Sequence, residues 1–455
     1  MSRPSLWIIP FILGLMLACQ SEPANKSKIS PISTWAKLTD QQLLNTVQYH
    51  TFKYFWDFAE PHSGLARERY IPSGKYPAKD AHIVTSGGTG FGVMAILVGI
   101  ERGFITRAQG IQRLTKIVDF LEKADRFHGI WSHWIDGTNG KVKPFSPKDD
   151  GGDLVESAFL MQGLLCVRQY CDDKNSEEKA LAERINQLWR TMEWDWHTQG
   201  GQDVLYWHWS PNYDWEMNFA LEGYNECLIT YVLAASSPTH PIDTVAYHKG
   251  WARGGAIIAT DKYGDYDRIL DYFPHGDDPI GPLFWSHYSY LGLNPKGLTD
   301  QYADYWKLNQ NLALIHYQHA LDNPNDYQGY GADTWGLTAS YSRNEDGSVG
   351  YAAHSPTQDK GIISPTAALS SFPYTPEKSM QALRGFYEKY GDQLIGPAGP
   401  YDAFSPHYDW VVERYLAIDQ GPIIVMIENH RSGLLWDLFM TCPEIVSGLG
   451  KLGFK

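Results

Sequence analysis

Asp153-Leu154-Val155-Glu156-Ser157-Ala158-Phe159-Leu160-Met161-Gln162-Gly163-Leu164-Leu165-Cys166-Val167 opens with two acids and then runs apolar on every helical face. A helix that is apolar all round is buried all round. An acid at its start sits at the edge of the core, where it must be paired, solvated in a cleft or chemically employed. The pattern recurs twice. Glu222 and Glu226 precede Cys227, Leu228, Ile229, Val232 and Leu233, and Asp419 precedes Ile423, Ile424, Val425, Met426 and Ile427. Acids brought together at several buried helix starts predict a carboxylate-lined pocket.

Working outward, all-apolar segments alternate with amphipathic ones. Thr85 to Ile100 is small and apolar throughout; Arg107 to Lys123 follows, with Ile111, Leu114, Val118 and Leu121 on one face and a Thr106/Gln109 capping box at its start. The buried Leu154 to Val167 segment is followed by the amphipathic Glu177 to Trp194, and Thr366 to Leu369 by Glu377 to Tyr390. Alternating β-branched runs are scarce. The long loops Asp195 to Tyr213 and Asp322 to Pro356 are rich in Gly, Pro, aromatic residues, His and Asp, a composition that belongs to a site more often than to a scaffold. About 420 residues exceed the usual size of one core, but a closed double ring of helices escapes that limit by stacking hairpins around an axis. The expectation is an all-α, single-domain (α/α)6 barrel over residues 38–455, with its site where the inner helices begin.

The first residues read separately. Arg3, the apolar run Leu6 to Ala18 and then Cys19 resemble a bacterial lipoprotein signal, too short to span a bilayer as a mature helix. Residues 1–18 are read as signal peptide and residues 19–37 as a lipidated Cys19 with a flexible tether, which places the protein in the periplasm or on the cell surface, attached to the membrane by lipid only. The remaining cysteines, Cys166, Cys171, Cys227 and Cys442, lack the spacing of a zinc site or a disulfide scaffold and read as buried free thiols. With 38 Lys and Arg against 52 Asp and Glu, the net charge of −14 disfavours nucleic acid and acidic polysaccharide as partners. Seventeen Trp and 28 Tyr exceed what a core needs, and rings with polar edges suit a neutral sugar, whose C–H faces lie on aromatics.

Lys148 to Glu156 is the densest acid cluster. Asp153 and Glu156 have the spacing of an N-cap and its partner, so capping accounts for Asp153 as readily as chemistry does. It does not account for Asp149, beside Gly151 and Gly152, which read as room for a ligand. Glu226 has no cation near it in sequence, and Glu222 lies one turn earlier on the same expected face. Asp419 has the position of a cap as well as of a site acid, and Asp402, between Tyr401 and Phe404, reads as sugar binding or turn chemistry. Hydrolysis of a glycosidic bond needs two carboxyls, one protonated and one ionised, separated by roughly 6.5–9.5 Å for inversion or about 5–5.5 Å for retention. His316 and His319 lack a third ligand, so no metal or cofactor is expected. Gly87 to Gly92 has neither a dinucleotide fingerprint nor a P-loop lysine and reads as close helix packing.

Longer motifs carry a resemblance. Trp207 to Tyr213, Gly223-Tyr224-Asn225-Glu226, Gly329 to Ser340, Tyr401-Asp402-Ala403-Phe404 and Ile418 to Pro422 resemble the bacterial glycoamylase-like proteins. Within them the chain is most similar to the β-1,2-glucanases of glycoside hydrolase family 144, from about Leu38 to Gly450. The resemblance implies an (α/α)6 barrel and inverting hydrolysis of linear β-1,2-glucan, to sophorose or to short oligosaccharides. It carries the family's essential acids onto Asp149, Asp153, Glu156, Glu226 and Asp419, with Glu226 as general acid and Asp149 or Asp419 on the base side. Asp402, Trp209, Trp335, Tyr330, His287 and Glu222 are expected to contact substrate. Three other readings stay open: a glycan-binding surface lipoprotein without catalysis, a hydrolase of another neutral glucan, and a polysaccharide lyase on the same toroid, which the acidic charge disfavours.

Overall fold

The computed structural model describes residues 34–271 and 280–455. The expected signal peptide and Cys19 lie outside them. The tether expected through residue 37 gives way to packed structure at Thr34, where a 3-10 turn, Thr34–Lys37, sets Trp35 edge-on against His50 and Tyr387.

Thirteen α-helices follow in order among the described residues. They are α1 (Asp40–Trp56), α2 (Ser86–Glu101), α3 (Arg107–Leu121), α4 (Leu154–Tyr170), α5 (Ser176–Arg190), α6 (Leu228–Ser236) and α7 (Tyr305–Asp322). Next come α8 (Pro365–Leu369), α9 (Pro376–Arg384), α10 (Gly391–Leu394), α11 (Ala417–Arg431), α12 (Leu434–Met440) and α13 (Pro443–Leu452). The inner ring is α2, α4, α6, the paired 3-10 turns Leu283–Ser286 and Tyr288–Tyr290, α8 and α11. Along it α2 packs on α4, α4 on α6, α6 on the 3-10 turns and α8 on α11, and α11 closes on α2. Across the short fourth and fifth members the ring is joined by His287 to Ser371 and by the Tyr374 hydroxyl donating to Ser286 O. The outer layer is α1, α3, α5, a π-helical turn Ala246–Trp251, α7 and α9. This is the (α/α)6 barrel, its fourth hairpin reduced to single turns.

Inner and outer helices begin differently. Four of the outer helices, α1, α3, α5 and α7, carry side-chain caps: Thr39 and Thr106 in capping boxes, Asn175 on the Glu177 and Glu178 N–H groups, Asp304 on Lys307 N. Inner helices α2, α8 and α11 follow extended residues with no capping side chain, so their first-turn N–H groups and the positive ends of their dipoles face the mouth of the barrel.

The apolar runs are buried as their composition demands. In α2 and α4 almost every side chain is inaccessible. Their axes approach so closely that a Cβ at Gly90 would lie 2.2 Å from Phe159 O and one at Gly163 2.1 Å from Gly90 O; Gly87 to Gly92 is a packing surface. The first and last hairpins are joined by strand pairing, Arg69 with Leu416 and Tyr70 with Tyr415, and by Ala417 N–H donating to Glu68 O. Short antiparallel pairs ring the mouth. A hairpin, Ala339–Arg343 with Val349–Ala353, rests with Phe404–Ser405 and Trp410–Val411 over a small second cluster of Tyr341, Ile362, Ala403, Val412 and Leu416.

Candidate active site

The loop before α4 is held in place from two sides. Residues Gly152 and Asp153 pair antiparallel with Trp209 and His208, and Leu154 N–H donates to Trp207 O. Gly151 makes this pairing possible, since a Cβ there would lie 2.1 Å from Trp209 O. Its smallness serves chain packing, which corrects the expectation that these glycines leave room for a ligand. Asp150 points away and fixes the next turn, accepting from Ser210 Oγ at 2.5 Å and Asn212 Nδ2 at 2.6 Å.

Asp153 is fully buried and saturated. Its Oδ1 accepts the Glu156 N–H at 2.8 Å and the Trp207 indole at 2.9 Å; its Oδ2 meets His133 Nδ1 at 3.2 Å and His208 Nε2 at 3.6 Å. Burial opposes its ionisation, but the His133 and His208 hydrogen bonds outweigh it, and the carboxyl is held below the usual range. Burial likewise works against charging His133, yet Glu156, Asp153 and Asp149 raise it to about 10. Asp153 does cap α4, as its spacing suggested, but Glu156 is not its reciprocal partner. The Glu156 carboxylate crosses to α2, accepting Gly87 N–H at 2.9 Å and Thr85 Oγ1 at 3.1 Å. Burial raises Glu156 despite His133. Asp149, also buried, contacts His208 Nε2 at 3.4 Å, and burial raises it against that histidine's pull.

Glu226 enters from the next hairpin. Gly223, at φ 77, turns the chain between Glu222 and Glu226, and α6 begins only at Leu228. The two glutamates therefore do not share a helical face, contrary to the sequence expectation. Half-buried, Glu226 has its carboxyl pushed up to about 7, chiefly by burial, with Glu156 and Asp153 adding to the effect and its own backbone and the Trp285 side chain opposing. Across the ring, Asp402 and Asp419 form a second acid pair. Asp419 lies in the first turn of α11 but caps nothing; both its oxygens and Asp402 Oδ1 are buried with no hydrogen-bond partner. Burial first and Asp402 second raise Asp419 well above the ordinary range, and burial lifts Asp402 to about 6. The Tyr288 hydroxyl, which has no hydrogen-bond partner, lies in the field of Asp419, Glu156 and Glu226 together. The acids of three hairpins thus surround one space.

The expected substrate contacts divide. Trp209 is half-exposed beside His128 and Trp196. Asp402 accepts Tyr341 N–H at 2.7 Å, and Tyr330, half-buried, donates to Asp359 at 2.7 Å. Glu222 is half-buried. Trp335 is a correction: it is 0% exposed, edge-on to Tyr317, with its indole donating to Lys378 O. A ring without accessible surface offers no platform. His287, 2% exposed and bonded to Ser371, sits beneath the site, burial pushing it down to about 3. Among the described residues six tryptophans are fully buried, so core filling accounts for a good share of the aromatic surplus.

His133 and His208 were not singled out in the sequence, although each stands beside tryptophan, in Ser132-His133-Trp134 and Trp207-His208-Trp209. That flanking was the available signal, since a histidine among large rings is positioned rather than solvated. His316 and His319 are internal, bonded to Gly281 O and to Asp359. His133, Asp149 and Asp153 bring ligand atoms within 4.8 Å of one another, but the Asp153 oxygens already hold donors and the histidines balance its charge.

One acid poised near neutrality, an acid held ionised by two histidines, and a second buried acid pair provide what acid-base cleavage of a neutral acetal requires. The glycoamylase family model, described as "Putative glucoamylase", matches residues 218–443. An exo β-1,2-glucooligosaccharide sophorohydrolase (non-reducing end) of Parabacteroides distasonis is 46% identical over 446 residues, 94% of this chain. The chain spans 60% of that curated relative's length. Among solved structures, an endo-β-1,2-glucanase of Chitinophaga pinensis in complex with sophorotriose and glucose is 58% identical with a TM-score of 0.88, over 92% of this chain and 99% of that one. A β-1,2-glucanase of Parabacteroides distasonis is 44% identical with a TM-score of 0.84, over 91% of this chain and 60% of that one. With this barrel, this ring of acids and relatives at such identity, the chain belongs to the bacterial glycoamylase-like family, as a member of glycoside hydrolase family 144.

Proposed function

We propose that this protein hydrolyses linear β-1,2-glucan with inversion of the anomeric centre. Glu226 donates the proton to the leaving oxygen, and Asp149, backed by His208, takes the proton from the attacking water. The observation that carries this reading is the Glu226 carboxyl, pushed to about 7 at the mouth of an acid ring whose other members come from α4 and α11. Such an acid is protonated often enough at neutral pH to donate, and it regains its proton without leaving the physiological range. Asp153, Trp207 and His133 position the α4 side. Trp209 and Trp196 supply ring faces beside the acids.

Two relatives favour two cleavage modes. The 58% identical relative is an endo-acting glucanase and the 46% identical one releases sophorose from a non-reducing end. We favour internal cleavage on the higher identity. The test is to incubate the chain from Gln20 onward with linear β-1,2-glucan and follow product size and anomeric configuration by proton NMR. Mixed oligosaccharides appearing first as α anomers support the proposal; sophorose alone supports the end-acting mode. Initial β anomers would exclude inversion, and no product would leave a glycan-binding protein or another glucan. We further propose that Cys19 is lipidated and holds the enzyme to a bacterial membrane facing the periplasm or the outside; a Cys19→Ala variant released into the soluble fraction is the expected result.

A further inference from the structure

Away from the acid ring, one buried carboxylate has two solvent-exposed histidines turned onto a single oxygen. Glu60, in the turn after α1, has no accessible surface. Its Oε2 accepts the His62 N–H at 2.9 Å, the Ser63 N–H at 2.8 Å and the Ser63 hydroxyl at 2.8 Å. Its Oε1 is left to Nδ1 of His62 and Nδ1 of His82, each at 3.0 Å. The three ligand-type atoms lie within 4.8 Å of one another, while the histidine side chains are 62% and 47% exposed.

Two exposed imidazoles gain little by ordering themselves on one acceptor, because each is well hydrated alone and loses rotamer freedom there. An ion shared by all three groups supplies the missing gain. A tetrahedral zinc-class ion, with bonds of about 2.0–2.2 Å, sets its ligand atoms roughly 3.3 Å apart. Two edges of the observed triangle are already close to that. Imidazole with carboxylate is the donor set of zinc and its neighbours. The three donors on Oε2 fix the orientation of the carboxylate, as outer-shell partners do for a ligand.

We propose that Glu60, His62 and His82 form a binding site for one divalent transition-metal ion of the zinc class, its fourth position open to water. The ion clips the turn Glu60–Leu65 to the strand Ile83–Thr85. That strand runs into α2, where Thr85 and Gly87 hold Glu156. The site thus braces the frame behind the acid ring and takes no part in bond cleavage.

The test uses tag-free protein from Gln20 onward, stripped with chelator, dialysed and titrated with zinc chloride by calorimetry, with bound zinc counted by mass spectrometry. We expect one zinc per chain, and an affinity lower by about tenfold or more in His62→Ala and in His82→Ala. Both residues are largely in solvent, so the variants should keep the wild-type circular dichroism. Cys171→Ser should retain the zinc, which separates this site from the half-exposed thiol. Zinc should also raise the melting temperature of the wild type and leave that of the double variant unchanged. Unaltered zinc stoichiometry and affinity in the His62→Ala/His82→Ala double variant, or no zinc bound by the wild type, would overturn the proposal. The readout involves no sugar, so its outcome is independent of whether the glucan is cleaved.

Discussion

Replacing Glu226 by Gln removes a titratable proton and keeps nearly the shape of the neutral acid. The carboxyl is displaced from 4.5 to about 7, which makes holding Glu226 ionised in the fold cost at most about 3 kcal/mol, before solvent screening at its half-exposed edge reduces it. Because the folded value lies above the unfolded one, the native state binds this proton more tightly. Its contribution to stability is complete below pH 4.5 and is lost as pH rises through about 7. Glu226→Gln should therefore match the wild type in stability at pH 4 and exceed it at pH 8, by about 1–3 kcal/mol in denaturant titrations. Turnover of β-1,2-glucan should fall about 10²- to 10⁴-fold, the usual worth of a general acid. With a sophoroside carrying a nitrophenolate leaving group, which needs no proton, most of that loss should vanish. The wild-type rate should decline on the alkaline side near pH 7. A variant within tenfold of the wild type on glucan, or a flat wild-type profile between pH 6 and 8.5, would refute the assignment.

Asp153→Asn keeps an oxygen that can still cap α4 but removes one half of a buried charge network, leaving His133 without its hydrogen-bonded carboxylate. We expect a loss of about 3–5 kcal/mol at pH 7 in urea unfolding. In the wild type the Asp153 contribution should fade only as the solution becomes acidic enough to protonate a depressed carboxyl, and the His133 contribution as pH rises through about 10. Asp419→Asn removes an acid whose ionisation burial and Asp402 both oppose, so at pH 7 the fold should be at least as stable as the wild type, while Asp402, raised by burial and not by Asp419, should stay raised in an NMR titration of its carboxyl. Trp335→Phe should lower the melting temperature and leave KM for glucan unchanged, whereas Trp209→Ala should raise KM with little effect on melting. Gly90→Ala drives a methyl group into the Phe159 carbonyl and should cost about 3 kcal/mol or more, or prevent folding altogether.

Much of the barrel was legible because its message is redundant. In a buried inner helix every side chain repeats the same instruction, so α2, α4 and α11 stand out from composition alone. The fourth hairpin did not, since Leu283–Ser286 and Tyr288–Tyr290 are held by the rings and carbonyls of their neighbours and carry no period of their own. Acids could be found as acids, but their division of labour rests on contacts between segments far apart in the chain. Asp153 and Glu156 have the spacing of a cap and its partner, which the sequence alone leaves even with chemistry; in space Glu156 serves α2, and only Asp153 caps. Trp335 and Trp209 have the same side-chain chemistry and both stand in long loops, and only tertiary burial separates core from platform.

The zipper joining Arg69 and Tyr70 to Leu416 and Tyr415 has a kinetic consequence. A partly folded chain can complete the α2–α4 pair, with Glu156 already docked on Gly87, while Asp419 and Asp402 are still unplaced. Catalytic competence would then arrive in one late event, the closing of the ring. Refolding followed by turnover should lag behind refolding followed by helicity, and slackening the Tyr70–Tyr415 seam should lengthen that lag more than it lowers the final yield of helix.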